Sequence, residues 1–242
     1  MSYTTLLLDI DDTLLNFQTN EKQAMQRVFK AYHIDYNEEN LAIYHKINRA
    51  LWEKYEQGEI ERETIFQERY TQFFQVLGID ADGVQADMIY RDYLNDGHDL
   101  ITGAKELLTF LKENHYRIYA ATNGVKETQY RRLRDANILD YFDRIYVSED
   151  LGFQKPDGRF FDVIFQENQL KKEEALMVGD TLTSDILGGQ YYNIDTVYFN
   201  WKNQPLRESI QPTYCIKQLS ELIDLLNKKG EKEGEKDGKS YC

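Results

Sequence analysis

The stretch Leu6-Leu7-Leu8-Asp9-Ile10-Asp11-Asp12-Thr13 constrains the fold more than any other in this chain. Three consecutive leucines offer no polar side to water. They therefore read as a strand buried on both faces, as in a parallel sheet. The acids begin where the apolar run stops, which places them at the strand's C-terminal end. In an open α/β sheet that edge is where ligands bind. Asp9 and Asp11 stand two apart, and a strand's period of two sends both side chains to one side, although the turn that starts here blurs the rule. Crowded carboxylates repel, so either one takes up a proton or a cation sits between them. Mg2+ suits such a place, because it takes one or two protein carboxylates and leaves the rest to water and substrate phosphate. Asp-Asp-Thr is equally ordinary turn and N-cap chemistry, so the stretch needs support from elsewhere.

The rest of the chain falls into two textures. From about 17 to 98 it is helical in period, without proline. The spacing predicts helices from Thr19 or Asn20 as cap to Tyr32, over Glu38–Tyr55, over Arg62–Leu77 with Gly78 ending it, and over Val84–Leu94. From about 99 onward strands and helices alternate. Strands are expected over Tyr116–Thr122, Arg144–Ser148, Ala175–Gly179 and Thr196–Phe199. Helices are expected over Gly103–Asn114, Lys126–Ala136, Arg159–Asn168, Ser184–Tyr192 and Leu219–Leu226. This alternation implies right-handed crossovers and an α/β fold with a doubly wound, Rossmann-like parallel sheet. The expected organisation is a core of 1–16 and 99–227, an inserted all-helical domain of 17–98, and a disordered tail of 228–242, where nothing apolar remains to bury.

Asp and Glu number 42 against 29 Lys and Arg, a net charge of −13. That excludes a general nucleic-acid surface, but not a phosphate ester, because a metal can reverse the sign locally. The two cysteines, Cys215 and Cys242, make no disulfide framework. With no basic-then-apolar leader and no long apolar run, a cytoplasmic protein without membrane or obligate protein partner is expected.

Three further pieces follow the first in order. Strand 116–122 ends in Thr122-Asn123-Gly124, a hydroxyl and freed N–H groups suited to phosphate oxygens; a plain strand–turn explains it as well. Lys155-Pro156 holds a lysine beside a fixed backbone, able to pair with a carboxylate and a phosphate, although most lysines simply face water. Val178-Gly179-Asp180 is another buried strand ending in an acid, with Asp185 five residues on, either a dipole-favoured helix-start acid or a holder of metal-bound water or of Lys155. Strand ends in one sheet lie about 5 Å apart, so Asp9, Thr122 and Asp180 can converge.

With these four pieces in this order, the chain resembles the haloacid-dehalogenase-type hydrolase superfamily. The resemblance implies a phosphatase in which Asp9 is the nucleophile and Asp11 the general acid and base. Thr122 and Lys155, with Asn123 and Gly124, would hold the phosphate. Mg2+ would be bound by Asp9, Asp11 through its carbonyl, and Asp180, with Asp185 acting directly or through water. The helical insert would be the family's cap of the first type. A carboxylate at Asp11 favours phosphate esters over halides. Phosphonate-cleaving relatives use a cap lysine, for which Lys22 is the candidate, though nothing around it in the sequence is notably apolar. Asn48, Trp52 and Gly58, with Gln129 and Arg132 after Thr122-Asn123-Gly124, and Asn200-Trp201, resemble the bacterial pyrimidine 5′-nucleotidases. This implies a small-molecule substrate, a nucleoside 5′-monophosphate. The alternatives are a sugar-phosphate or general metabolite phosphatase, or a silent binding module. Asn48 and Trp52, with Tyr44, Tyr55 and Phe17, are candidates for contacting the base; aromatics at helical spacing are more often core.

Overall fold

The computed structural model describes residues 3–231. Six strands form one parallel sheet: β1 (Thr5–Leu8), β2 (Arg117–Thr122), β3 (Arg144–Val147), β4 (Ala175–Gly179), β5 (Asp195–Phe199) and β6 (Tyr214–Ile216), in the order β3-β2-β1-β4-β5-β6. This is the Rossmann-type order, with its switch point between β1 and β4. Every β1 residue is buried, and β1 pairs with both β2 and β4, as the leucine run requires.

Alternation along the strands sorts the two faces. Leu6, Leu8, Leu176 and Val178 pack with Leu107, Leu108 and Leu111 of α5 (Ala104–Glu113) and Leu219, Leu222 and Leu226 of α10 (Leu219–Glu231). Leu7, Tyr119, Ala121 and Met177 meet Phe160, Phe161 and Ile164 of α8 (Gly158–Asn168) on the other face. The remaining helices of this unit are α6 (Lys126–Asp135), the single turn α7 (Ser148–Leu151) and α9 (Leu187–Tyr192).

The chain divides into two compact units, residues 17–97 and the remainder. The smaller holds α1 (Phe17–Ala31), α2 (Glu38–Glu56), α3 (Arg62–Leu77) and α4 (Gly83–Leu94) around an aromatic core of Phe29, Tyr44, Tyr70, Phe73 and Tyr90. Asn37 caps α2 by accepting from the Asn40 N–H, and Asp82 caps α4 by accepting from Val84 and Gln85. Where the larger unit is interrupted, its two ends are stitched together. Asn16 N–H donates to the Asp99 carbonyl at 2.8 Å, Ile101 N–H to Leu14 at 2.9 Å, and Leu15 bridges to Leu100 in antiparallel fashion.

Several boundaries differ from the sequence expectation. Helix α1 starts at Phe17, so Asn20 is no cap but a buried residue within it, packed where Gly97 lacks a side chain. Strand β6 was not anticipated; three residues behind Pro212 are too few to show alternation. Helix α8 starts one residue earlier than expected, at Gly158, where Asp157 caps it by accepting from Arg159 N–H at 2.8 Å. The helix expected over Ser184–Tyr192 is regular only from Leu187. A wide turn over Leu182–Ile186, in which both Asp185 and Ile186 donate to the Thr181 carbonyl, precedes α9. Such turns recur at functional sites. Helix α10 continues to Glu231, past the expected start of the tail; the tail beyond 231 lies outside the described residues. No helix among the described residues is long and apolar enough to cross a membrane.

Candidate active site

Asp9 and Asp180 follow β1 and β4, the strands that flank the switch point. Asp185 joins them from the wide turn, and carboxylate oxygens of all three lie within 4.8 Å of one another. Gly179 permits this, because a Cβ there would stand 2.2 Å from Asp185 Oδ2. That oxygen accepts the Thr181 N–H at 3.1 Å, while Oδ1 accepts Lys155 Nζ at 2.6 Å. Asp185 therefore ties the Lys155 ammonium to the same cluster.

Lys155 is 1% exposed. It donates to Asp9 Oδ1 at 2.8 Å, to Asp185, and to the Ala121 carbonyl. These use the ammonium's three protons, so what it has left to offer a phosphate is charge. Its backbone is fixed by Asn123, whose side-chain amide donates to the Lys155 carbonyl and accepts its N–H, both at 2.9 Å. The Asn123 side chain thus braces the Lys155 backbone.

Thr122 Oγ1 accepts from Gly124 N–H at 3.0 Å and from Gln129 Nε2 at 3.1 Å. With both lone pairs filled, its own proton is the part left to donate. Gly124 spends its N–H on Thr122. It also makes room, since a Cβ there would lie 2.1 Å from Gln129 Nε2.

Burial pushes the Asp9 carboxyl up to about 6, against the pull of Lys155. It pushes Asp180 up to about 7, opposed by Lys202, and Asp185 to about 7, opposed by Lys155. Repulsion adds to burial: Asp180 and Asp11 act on Asp9, Asp12 on Asp180, and Asp9 on Asp185. Buried, mutually repelling carboxylates are a donor set that a hard divalent cation satisfies.

Asp11 is placed differently. Its Oδ1 accepts Arg132 Nη1 and its Oδ2 accepts Gln129 Nε2, both at 2.5 Å. Its side chain does not join the carboxylate cluster. Lys202 was not anticipated at all. It bridges Asp12 Oδ2 at 2.6 Å and Asp180 Oδ2 at 2.8 Å. Beside it, Trp201 Nε1 donates to the Asp12 carbonyl at 2.8 Å, steadying Asp12 at φ +55°, a conformation aspartate tolerates better than most. The available signal was position: Asn200-Trp201-Lys202 directly follows a buried strand, as Asp9 and Asp180 do.

The sequence candidates in the helical unit have local partners. Asn48 is half-buried and accepts from Arg69 Nη1 at 3.5 Å. Trp52 is half-buried, with its ring edge-on to Tyr55 at 5.8 Å. Tyr44 and Tyr55 are buried, as core aromatics are, and Lys22 is exposed.

Residues 6–199 match the haloacid dehalogenase-like hydrolase family, and the chain belongs to it. It is 40% identical to the HAD-hydrolase YfnB of Bacillus subtilis (strain 168) over 93% of this chain and 96% of that one. The crystal structure of YfnB bound to magnesium superposes with a TM-score of 0.88, covering 94% of this chain and 100% of that chain. The pyrimidine 5′-nucleotidase PynA of Streptococcus pneumoniae is 35% identical over 94% of this chain and 97% of its own. For the pyrimidine 5′-nucleotidase YjjG of Escherichia coli the identity is 31%, over 94% of this chain and 100% of its own.

Proposed function

We propose that the protein is a Mg2+-dependent phosphatase that hydrolyses pyrimidine nucleoside 5′-monophosphates through a phosphorylated Asp9. One observation carries the chemistry: Asp9, Asp180 and Asp185 meet at the sheet's switch point, with Lys155 paired to Asp9 and Asp185. The substrate class rests on the kinship with PynA and YjjG over nearly the whole chain. The haloacid dehalogenase fold alone would leave halide or other phosphate esters equally open. Residues 17–98 keep the role of cap in this reading.

Lys155 engages Asp9 Oδ1, while Oδ2 carries the long 3.5 Å bond from Thr13. We assign Oδ2 as the attacking oxygen. Lys155 counters the push of burial and holds Asp9 ionised, as a nucleophile must be. Thr122 donates its proton to a phosphoryl oxygen, and Asp11 exchanges protons with the leaving group and then with water. Asp9 and Asp180, with Asp185 and the Asp11 carbonyl, would hold Mg2+, which when bound neutralises charge on the phosphoryl oxygens.

Phosphate release across nucleoside monophosphates and sugar phosphates, with Mg2+ and with chelator, tests this. The expected result is preference for UMP, dUMP or dTMP, lost on chelation. Preference for sugar phosphates would overturn the nucleotidase assignment, and no release from any ester would overturn the phosphatase.

A further inference from the structure

Gln129 and Arg132 stand three residues apart on α6 and so share a face. Each is 1% exposed. A guanidinium so enclosed is costly unless it is paired. Its Nη1 reaches Asp11 Oδ1 at 2.5 Å and Gln129 Oε1 at 3.2 Å. Gln129 spends one amide proton on Asp11 Oδ2 and the other on Thr122 Oγ1. The amide cannot be reversed, because turning it would set its oxygen against the Asp11 carboxylate and its protons against the guanidinium. Arg132 thus fixes the sense of Gln129, and Gln129 places Asp11 and Thr122 together.

With both oxygens accepting these bonds, the Asp11 carboxyl is fixed in orientation beside Thr122. Held this way it suits the half of the reaction that needs a base. We infer that Arg132, directly and through Gln129, is a positioning residue that sets Asp11 as the base for releasing phosphate from Asp9. This rests on the phosphatase reading above. In that step the water oxygen bonds to phosphorus while the bond from phosphorus to the Asp9 oxygen breaks. The electron pair returns to the Asp9 carboxylate. One water proton passes to Asp11, and the other leaves with hydrogen phosphate.

The test uses p-nitrophenyl phosphate, whose leaving group departs without a proton, so that loading of Asp9 does not draw on Asp11. Mg2+-loaded wild type, Arg132→Met and Gln129→Met are mixed rapidly with it, and phosphate bound to protein is counted after acid quench. Both variants should turn over about tenfold slower or worse. They should also show a nitrophenolate burst approaching one equivalent, with more phosphoenzyme than wild type. Slower release without a larger burst or more phosphoenzyme would overturn the inference while leaving the phosphatase standing. An inert wild type would overturn the phosphatase reading itself. Gln129→Met, close in shape and without charge, gives the result if Arg132→Met does not fold.

Discussion

Both units of this chain bury charge, and they do so to different ends. In the helical unit Asp87 is fully enclosed, and each of its oxygens meets a guanidinium: Arg69 Nε at 2.5 Å and Arg91 Nε at 2.7 Å. Glu21, also buried, accepts the Tyr90 hydroxyl at 3.0 Å. These partners come from α1, α3 and α4, so the network binds the helices to one another. At the sheet edge Asp9, Asp12, Asp180 and Asp185 share the ammonium groups of Lys155 and Lys202. There burial pushes three carboxyls upward. A buried acid with two arginines marks packing. Buried acids that outnumber their cations mark a place prepared for a ligand.

The sharpest way to break that comparison is Asp9→Asn. Turnover should fall by about 10⁴-fold or more, while thermal melting shows the fold intact. Turnover near wild type would remove the covalent role from the sheet edge. Next comes Arg69→Met, which leaves a buried carboxylate with one partner fewer. Urea denaturation should show a loss of about 3–5 kcal/mol; a negligible loss would mean that the helical network does not bind the unit together. Third, Asp185→Asn should weaken Mg2+ binding about 10–100-fold in calorimetry and raise the melting temperature of the metal-free protein, because it removes a repelling buried charge. No change in either would leave Asp185 outside the site.

The smallest effect is in pH. The three carboxyls, raised to about 6, 7 and 7, bind protons in the folded state that they would not bind unfolded. Their contribution to metal-free stability therefore grows as pH falls through 7, whereas Mg2+ must displace those protons. The Mg2+-induced gain in stability should shrink by about 1–2 kcal/mol between pH 8 and 6. A gain that grows on acidification would contradict the assignment of these carboxylates.

The sheet was legible because its strands are buried on both faces and announce themselves as apolar runs. Leu6-Leu7-Leu8 and Leu176-Met177-Val178 need no partner to be recognised. The three-residue β6 has no such run and is seen only beside β5. In the site, acids at strand ends were legible for the same reason. What each side chain touches was not: nothing in the sequence tells that the Asn123 side chain braces Lys155. Lys202 escaped notice because its role depends on Asp12 and Asp180, far away in the chain and brought near by β-sheet order alone. Gln129 and Arg132 appeared through resemblance, since a polar pair on a polar helix carries no periodic signal.

The antiparallel rung joining Leu15 to Leu100 makes the helical unit a cassette. The chain departs and returns at one point on the sheet's rim, where Asn16 and Asp99 already share a hydrogen bond. A short turn in place of residues 17–97 would close that rung as a hairpin and leave the pairing of β1 with β4 undisturbed. Descendants of such a chain are free to lengthen, replace or redraft the insert, because the β1–β4 pairing that brings Asp9 and Asp180 to neighbouring strand ends is inherited separately from it.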